Sequence, residues 1–214
     1  TTSEIDAASP ASLRTVALAL SASRDACPAI CVDRLTCALI SEIELESWKA
    51  QTESIEAWNL VQRADGLSEV ADSLDRHGQV ETARREAARG DSLVARAAEL
   101  APEWSEPSVL RARLAVVTVN PYQVPWSERD RSAVRRGLEH ARAAVRTNPD
   151  DPEARIVRGR LRLWLSQHTD DPARARELLA AAEADLRRAV NLDPGSAGGW
   201  LALSELLHEG RGEL

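Results

Sequence analysis

Small and apolar residues recur along the chain on one face of successive predicted helices, and prolines interrupt this pattern at nearly regular intervals. An alanine lies five residues before each of the prolines at positions 102, 149 and 194, and a small residue lies twelve before each. The three pairs are Gly90 with Ala97, Gly137 with Ala144, and Ala182 with Ala189. Seven residues make two helical turns, so both members of a pair lie on the same face. The pattern predicts three related helices that each end at a proline.

Leucines repeat on the other side of each proline. Leu114, Leu161 and Leu206 each lie twelve residues after one of the three prolines, so the helices that follow the prolines are related as well. A face of small side chains lets a neighbouring helix approach closely, as a tight antiparallel pair requires. The sequence therefore predicts a series of antiparallel helical hairpins.

Residues that cap a helix mark where each new helix begins. Asp151 precedes Pro152 and Asp171 precedes Pro172, and each pair combines an N-cap with a proline in the first turn. The other predicted caps are Ser105, Ser196 and Ser127, the last in a shortened capping box with Asp130. Together these signals predict helices over residues 54–77, 79–100, 105–118, 127–147, 152–167, 172–192 and 196–209.

The composition also favours an all-α chain. Hydrophobic residues make up 43% of the 214 residues, and with no Phe and no Met the core is left mainly to Ala and Leu. Ala, Leu, Arg and Glu are strong helix formers. The only lysine is Lys49, and this preference for arginine suggests a GC-rich bacterial genome.

The charge of the chain bears on its partners. A net charge of −7 argues against nucleic acid, because binding to phosphates requires a concentrated positive surface. No apolar run approaches the 18 or so residues that a membrane-spanning helix needs, so no membrane insertion is expected. The strongest apolar stretch, Val16 to Leu20, is too short for a signal peptide.

The proline regions resemble the junctions of tetratricopeptide repeats. The stretches from Ala144 to Ala154 and from Ala189 to Ala197 look like the close of one repeat and the opening of the next. The stretches Glu56–Trp58 and Gly198–Ser204 resemble the family's first helix, and Gly159 matches its small residue. The resemblance implies an antiparallel helix-hairpin repeat, a tetratricopeptide-like α-solenoid of about three and a half hairpins over residues 54–214.

The chain departs from the family pattern in two ways. The prolines are spaced 149 − 102 = 47 and 194 − 149 = 45 residues apart, whereas the family's unit is about 34 residues long. The additional residues are assigned to lengthened helices and to inserts at 118–126 and 167–171. Arg155 and Arg158 occupy positions where the family usually has apolar residues.

Residues 1–53 lack the repeat and are predicted to be a separate, non-repeat helical segment. Two short helices are predicted in it, over residues 12–22 and 32–49, packed against the first hairpin or belonging to a preceding domain.

The spacing of Cys27, Cys31 and Cys37 matches neither a disulfide framework nor a paired zinc motif. Buried reduced thiols are the favoured interpretation, and a reactive or metal-binding role is the alternative. Because the chain begins without methionine, it is expected to be part of a longer protein.

The sequence does not predict an enzyme, a metal site or a cofactor. It contains no phosphate-binding glycine motif, no zinc-protease motif and no serine-nucleophile motif. The four histidines are far apart and are expected to be solvated: His77, His140, His168 and His208. The carboxylates of Glu177, Glu183 and Asp185 are expected to pair with arginines on the helix surface.

The tryptophans are expected to be mostly core residues. Trp58 and Trp200 occupy equivalent positions in their repeats and are predicted to lie inside hairpins. Trp104, Trp126 and Trp164 lie near turns or inserts, where packing is favoured and a role as a peptide anchor is the alternative.

Arginines recur at one position of the predicted first helices. Arg113 lies eleven residues after Pro102, and Arg160 lies eleven after Pro149. Alignment of Trp58 with Trp200 makes Arg63 equivalent to Glu205. We call the three arginines at this position the arginine column: Arg63, Arg113 and Arg160. The resemblance places first helices along a concave groove, where arginines bind acidic or C-terminal carboxylates. The alternative is that the arginines pair with neighbouring glutamates.

These observations favour a scaffold that binds a partner protein or peptide in the groove, and the arginines point to an acidic one. The predicted binding residues are Arg63, Arg113, Arg160 and Trp164. Two alternatives are a sensory or assembly module of a larger bacterial signalling protein, such as a serine/threonine kinase or a regulator, and a small-molecule-binding helical domain with an enclosed pocket.

The cytoplasm is the expected compartment, unless a longer parent protein carries an upstream transmembrane helix. The last helix has Leu203, Leu206 and Leu207 with no second helix to cover them. Further repeats in the native protein are the favoured explanation, and the alternatives are that this helix packs back on the stack or dimerises.

Overall fold

Helices make up most of the described part of the protein, which covers residues 54–123 and 125–209 of the computed structural model. The helices are α1 (Ile55–Arg76), α2 (Val80–Leu100), α3 (Glu106–Val116), α4 (Glu128–Thr147), α5 (Pro152–Gln167), α6 (Pro172–Leu192) and α7 (Ala197–Glu209). Within these ranges there is no β-strand. The predicted all-α class is therefore confirmed, and every predicted helix of the repeat region is present.

Consecutive helices pair as antiparallel hairpins. α1 packs on α2, α3 on α4 and α5 on α6, and α7 packs on the third hairpin. Each first helix also packs on the first helix of the next hairpin, whereas the second helices contact one another less. Such a stack curves toward its first helices. We call the surface shared by α1, α3, α5 and α7 the inner face, and the surface carried by α2, α4 and α6 the outer face.

The repeated small residues lie where helices touch. The four alanines among them are fully buried: Ala97, Ala144, Ala182 and Ala189. A Cβ atom added to Gly90 would lie 3.2 Å from the Leu114 side chain, and one on Gly137 would lie 3.1 Å from the carbonyl oxygen of Ala112. The prediction that small side chains permit close approach between helices is confirmed.

The apolar core consists of clusters that each extend from one hairpin to the next first helix. One cluster joins α1 and α2 to α3, a second joins α3 and α4 to α5, and a third joins α5 and α6 to α7. The repeated leucines are members of these clusters and are almost fully buried: Leu114, Leu161 and Leu206. Because every cluster includes a helix of the following hairpin, burial of apolar surface holds the stack together.

Most of the predicted helix caps are present. Asp151 accepts a hydrogen bond from the backbone N–H of Ala154 at 3.1 Å, and Asp171 accepts one from Ala173 at 2.9 Å. Ser127 and Asp130 form a full capping box, and Ser196 accepts from the backbone N–H of Gly199 at 3.1 Å. These bonds satisfy backbone donors that have no partner within their own helix.

Ser105 stands at the N-cap position of α3, but the prediction that its side chain caps the helix is wrong. Its hydroxyl makes no capping bond and donates to Asp151 Oδ2 at 2.6 Å. Asp151 therefore caps α5 and also binds the start of the preceding first helix. This contact links two consecutive hairpins at equivalent positions.

The two predicted inserts contact each other. α3 ends at Val116, and the following segment brings Trp126 against His168, which follows α5. The two rings stack with their centroids 3.5 Å apart and their planes 8° from parallel. His168 Nδ1 lies 2.9 Å from the carbonyl oxygen of Trp164, and His168 Nε2 lies 3.2 Å from that of Gln123. The expectation that His168 is simply solvated is wrong, because it ties the inserts together.

Helix α7 corrects two predictions. Trp200 is 51% exposed and is not a core residue, whereas Leu203 and Leu206 are buried against the third hairpin. Arg155, the residue equivalent to Trp200 in α5, faces the second helix of its own hairpin through Asp185 of α6. Within the described residues no such second helix follows α7, so Trp200 is left at the surface.

Several predictions fall on residues 1–53, which lie outside the described part of the chain. They are the two short helices, the separate non-repeat segment with its boundary at residue 53, and the states of the three cysteines. These three points stay predictions.

Candidate functional site

The arginine column lies on successive first helices. Arg63 of α1 and Arg113 of α3 are both exposed. Arg160 of α5 donates from Nη2 to both carboxylate oxygens of Glu205 on α7, at 3.1 and 3.2 Å. Since Glu205 occupies the equivalent position in the next hairpin, this ion pair runs along the inner face from one first helix to the next.

Arg160 is therefore in a different state from the other two arginines. Its side chain is 36% exposed and its partner Glu205 is 25% exposed. Arg160 Nε is buried and has no hydrogen-bond partner within the described residues. Arg160 therefore pairs with a neighbouring glutamate, which was the alternative to ligand binding in the sequence analysis. No such carboxylate pairs with Arg63 or Arg113 in the part of the chain that the structure describes.

Trp164 follows Arg160 by one helical turn and is half-buried. Its side chain packs against the cluster that joins α3 and α4 to α5. Trp104 and Trp126 are buried, with exposures of 8% and 3%. The packing role that the sequence favoured is confirmed for Trp104 and Trp126, and Trp164 is the one of the three with a substantial exposed edge.

A buried ion cluster joins the two helices of the third hairpin. Asp185 of α6, whose side chain is only 4% exposed, binds Arg155, Arg158 and Arg162 of α5. Arg158 donates to it through two nitrogens, Nε at 2.7 Å and Nη2 at 2.5 Å. Arg162 also donates to the carbonyl oxygen of Ala181 at 3.0 Å. The expectation that Asp185 is a surface residue is wrong.

The cluster contains three guanidinium groups and one carboxylate, so it carries excess positive charge. The pKa of Arg162 is lowered, first because burial disfavours the charged form, although Asp185 opposes this effect. Arg158, Arg142 and Arg174 lower the pKa of Arg162 further by charge repulsion. The region around α5 and α6 is therefore locally basic in a chain whose net charge is −7.

Sequence reasoning could have found part of this cluster. The signal was the presence of arginines at two positions of α5 that are usually apolar in the family. Arg155, Arg158 and Arg162 lie three and four residues apart, on one helical face, so their pairing with a common partner was foreseeable. The identity of that partner was not, because Asp185 resembles the carboxylates that alternate with arginine along the exposed side of α6.

The spread of the second helices leaves two open clefts on the outer face. A cleft of about 620 Å³ lies between α4 and α6, with Trp126 and His168 in its wall. A second cleft of about 500 Å³ lies between α2 and α4, and part of α3 forms its floor. The small-molecule interpretation of the sequence expected an enclosed pocket walled by tryptophans. Of the three tryptophans considered, Trp126 lines one of these clefts, and that cleft is open to solvent.

Among residues 54–123 and 125–209, no three His, Cys, Asp or Glu side chains are arranged to hold a metal ion. None of the helices in this part of the chain is both long and apolar enough to cross a membrane.

Comparisons with known proteins found similar solved structures. The first tetratricopeptide repeat domain of Spaghetti (RPAP3), in a structure with a bound HSP90 peptide SRMEEVD, has a TM-score of 0.43 and 16% identity, covering 70% of this chain and 94% of that one. The tetratricopeptide repeat protein TTC0263 of Thermus thermophilus has a TM-score of 0.49 and 20% identity, covering 95% of this chain and 84% of that one. No family model matches the sequence, and no curated protein matches it.

Proposed function

We propose that the inner face binds an acidic segment of a partner protein. The observation that carries this proposal is the exposure of Arg63 and Arg113 at equivalent positions on consecutive first helices that pack side by side. Exposed guanidiniums that point from one continuous face attract carboxylates, and their planar donor groups bind carboxylate oxygens with defined geometry. The protein acts in this proposal as an interaction scaffold.

The pair of Arg160 and Glu205 supports the proposed chemistry. It places a carboxylate on the arginine column with both oxygens within 3.2 Å of one guanidinium nitrogen. A carboxylate from a partner peptide would make the same type of contact with Arg63 and Arg113. Arg160 is then the position where a ligand must compete with an internal carboxylate.

Trp164 supplies the apolar part of the proposed surface. It is on the same helix as Arg160 and one turn away, and it is half-buried in a core cluster. A partly exposed tryptophan fixed by packing loses little conformational freedom when a ligand covers it. We infer that an apolar side chain of the partner contacts Trp164 next to an acidic one.

The test uses a fluorescently labelled hexaglutamate peptide, and its affinity is measured by fluorescence anisotropy at about 0.15 M NaCl. Arg63→Glu combined with Arg113→Glu is expected to weaken binding at least tenfold, which corresponds to about 1.4 kcal/mol. The physical reason is that two attractive charges on the inner face become repulsive.

The control combines Arg96→Glu with Arg146→Glu. Both residues are exposed and lie on the second helices α2 and α4, and the change in net charge is the same. This variant is expected to keep the affinity within about twofold to threefold, because at 0.15 M salt exposed charges are screened over about 8 Å. Binding on the inner face would be contradicted if hexaglutamate did not bind, or if both variants lost affinity for it to the same extent.

The wider setting of the protein stays a prediction. The long, Ala- and Arg-rich repeats resemble those appended to some bacterial signalling proteins, so we propose that the chain is a module of such a protein and that it acts in the cytoplasm. In that setting the inner face would bind an acidic segment of another signalling protein.

A further inference from the structure

The cleft between α2 and α4 on the outer face has an unusual balance of charges. Its walls carry five arginines and three carboxylates: Arg84, Arg85, Arg111, Arg129, Arg136, Glu81, Asp91 and Asp130. The difference is two positive charges, 5 − 3 = 2, within a space of about 500 Å³. In a protein with a net charge of −7 this is a local concentration of the opposite sign.

All three carboxylates already have partners. Glu81 lies between Arg84 and Arg129, with its Oε1 atom 2.5 and 3.4 Å from their Nη1 atoms. Asp91 binds Arg111 through both oxygens, at 2.7 and 3.2 Å.

The third carboxylate, Asp130, is held by the N-cap of α4. Its Oδ2 atom accepts from the hydroxyl and the backbone N–H of Ser127, at 2.6 and 3.1 Å. Glu81 and Asp91 are therefore paired with arginines, whereas Asp130 keeps its charge but pairs with none of the cleft's arginines in the described part of the chain.

Two further arginines of the cleft are Arg85 and Arg136, one on each wall. Arg85 of α2 donates to the hydroxyl of Thr82 at 3.1 Å, and Arg136 of α4 donates to the hydroxyl of Ser132 at 2.9 Å. Neither has a carboxylate partner in the part of the chain that the structure describes. Both are exposed, so their other guanidinium nitrogens can donate to a ligand.

His140 also lines this cleft, close to arginines and carboxylates of both walls. It is on α4, and its pKa is lowered from 6.5, first because it is partly buried and then because Arg111 repels the charged form. Asp91 and Glu139 oppose this effect and raise the pKa, and Arg136 lowers it by the smallest amount of these. An anion bound in the cleft would counteract this repulsion and raise the pKa of His140.

The floor of the cleft is apolar. Its solvent-accessible part is formed by the exposed Ala88 and the half-buried Ala115 and Val117, which lie over the buried Leu114 and Val119. An ion alone would leave this floor in contact with water. A ligand that combines an anionic group with an apolar group fits both parts of the cleft.

We propose that the cleft between α2 and α4 is a binding site for a phosphate monoester, with the phosphate between Arg85 and Arg136 and the ester group on the floor. A phosphate monoester carries a charge of about −1.5 to −2 near pH 7, which matches the excess of two guanidiniums. Paired donors of arginine are well suited to phosphate oxygens. The site is on the opposite face from the arginine column and does not depend on the proposed function.

The cleft between α4 and α6 is a weaker candidate for the same chemistry. Its walls carry four arginines and three carboxylates: Arg131, Arg135, Arg142, Arg174, Glu128, Glu139 and Asp170. Arg131 and Arg135 share Glu128, and Arg174 pairs with Glu177. The charge excess of this cleft is one, 4 − 3 = 1, which is less than a phosphate dianion would match.

The test is a calorimetric titration with phenyl phosphate at about pH 7.5 in about 0.15 M NaCl. The unmodified chain is expected to show saturable binding with one site. Arg85→Gln combined with Arg136→Gln is expected to weaken the affinity at least tenfold, because both unpaired guanidiniums are removed. The matched control combines Arg96→Gln with Arg146→Gln, which removes the same charge from the same two helices outside the cleft, and is expected to change the affinity less than twofold to threefold.

A second readout locates the ligand. The imidazole proton signals of His140, followed by NMR over a pH titration, are expected to show a higher pKa when phenyl phosphate is bound. Arg63→Glu with Arg113→Glu is expected to leave phenyl phosphate binding unchanged, so failure of this site and failure of the inner-face proposal are distinguishable.

A phosphotyrosine peptide distinguishes the two sources of a phosphate monoester. Tighter binding of this peptide than of phenyl phosphate would identify a phosphorylated protein as the source, and equal affinity would identify a small phosphate ester. Both results support the site. No saturable binding of phenyl phosphate, or equal losses in the cleft variant and in its control, would overturn it.

Discussion

At the scale of single residues, the sequence predicted which face of a helix a residue lies on better than it predicted which residue a charged side chain binds. The small residues before each proline and the leucines after it were placed correctly, because helical periodicity assigns a residue to a face. The partners of charged residues were harder, since they come from helices distant in the sequence. Arg160 is bound by Glu205, and Asp185 is buried under three arginines, and neither contact follows from spacing along one helix.

Gly159 shows how closely the helices of one hairpin approach. A Cβ atom at this position would lie 2.7 and 2.8 Å from side-chain atoms of Leu186, which is fully buried, so Leu186 would have to shift. Gly159→Ala is therefore expected to lower the free energy of unfolding by about 1–3 kcal/mol, as overpacking does. Urea denaturation followed by circular dichroism measures the change.

Gly66 provides the matched control for this substitution. It is exposed in α1, and no atom lies within 4 Å of an added Cβ. Gly66→Ala is expected to raise the free energy of unfolding by about 0.5–1 kcal/mol, because alanine favours a helix over glycine. If both substitutions stabilised the protein to the same extent, the close packing of α5 on α6 would be contradicted.

At the scale of elements, the helices and most of their caps could be predicted, whereas the connections between them could not. Proline, Asp and Ser mark helix ends through local physical effects, namely a missing N–H group and a side chain that caps the first turn. The inserts at 118–126 and 167–171 were located by length alone. Their contact through the stacked rings of Trp126 and His168 depends on the three-dimensional course of both segments.

The ion cluster at Asp185 is the polar link between α5 and α6. Asp185→Ala is expected to lower the free energy of unfolding by about 3 kcal/mol, because it leaves guanidiniums buried without their carboxylate. Glu183→Ala is the control, since Glu183 pairs with Arg187 at a largely exposed site on the same helix. This control is expected to cost less than about 1 kcal/mol. If urea denaturation showed that both substitutions lower the free energy of unfolding by similar amounts, the ion cluster at Asp185 would stabilise the protein no more than an exposed ion pair does.

At the scale of the whole molecule, the curvature of the stack gives the two faces different properties. The first helices lie close together, so the inner face is continuous and the arginine column runs along it. The second helices are further apart, so the outer face has clefts between them. The sequence predicted the inner face through the repeat but not the clefts, because they depend on the angle between hairpins and not on residues at any one position.

The central claim is that carboxylates bind to the arginine column, and Glu205 offers the most direct measurement of it. Glu205→Gln removes the internal carboxylate that occupies Arg160, so the affinity for hexaglutamate, measured by fluorescence anisotropy, is expected to rise. The control is Glu183→Gln, which removes the same charge from α6 on the outer face and is expected to change the affinity much less. An equal or lower affinity of the Glu205→Gln variant, relative to the unmodified chain, would contradict binding at the arginine column.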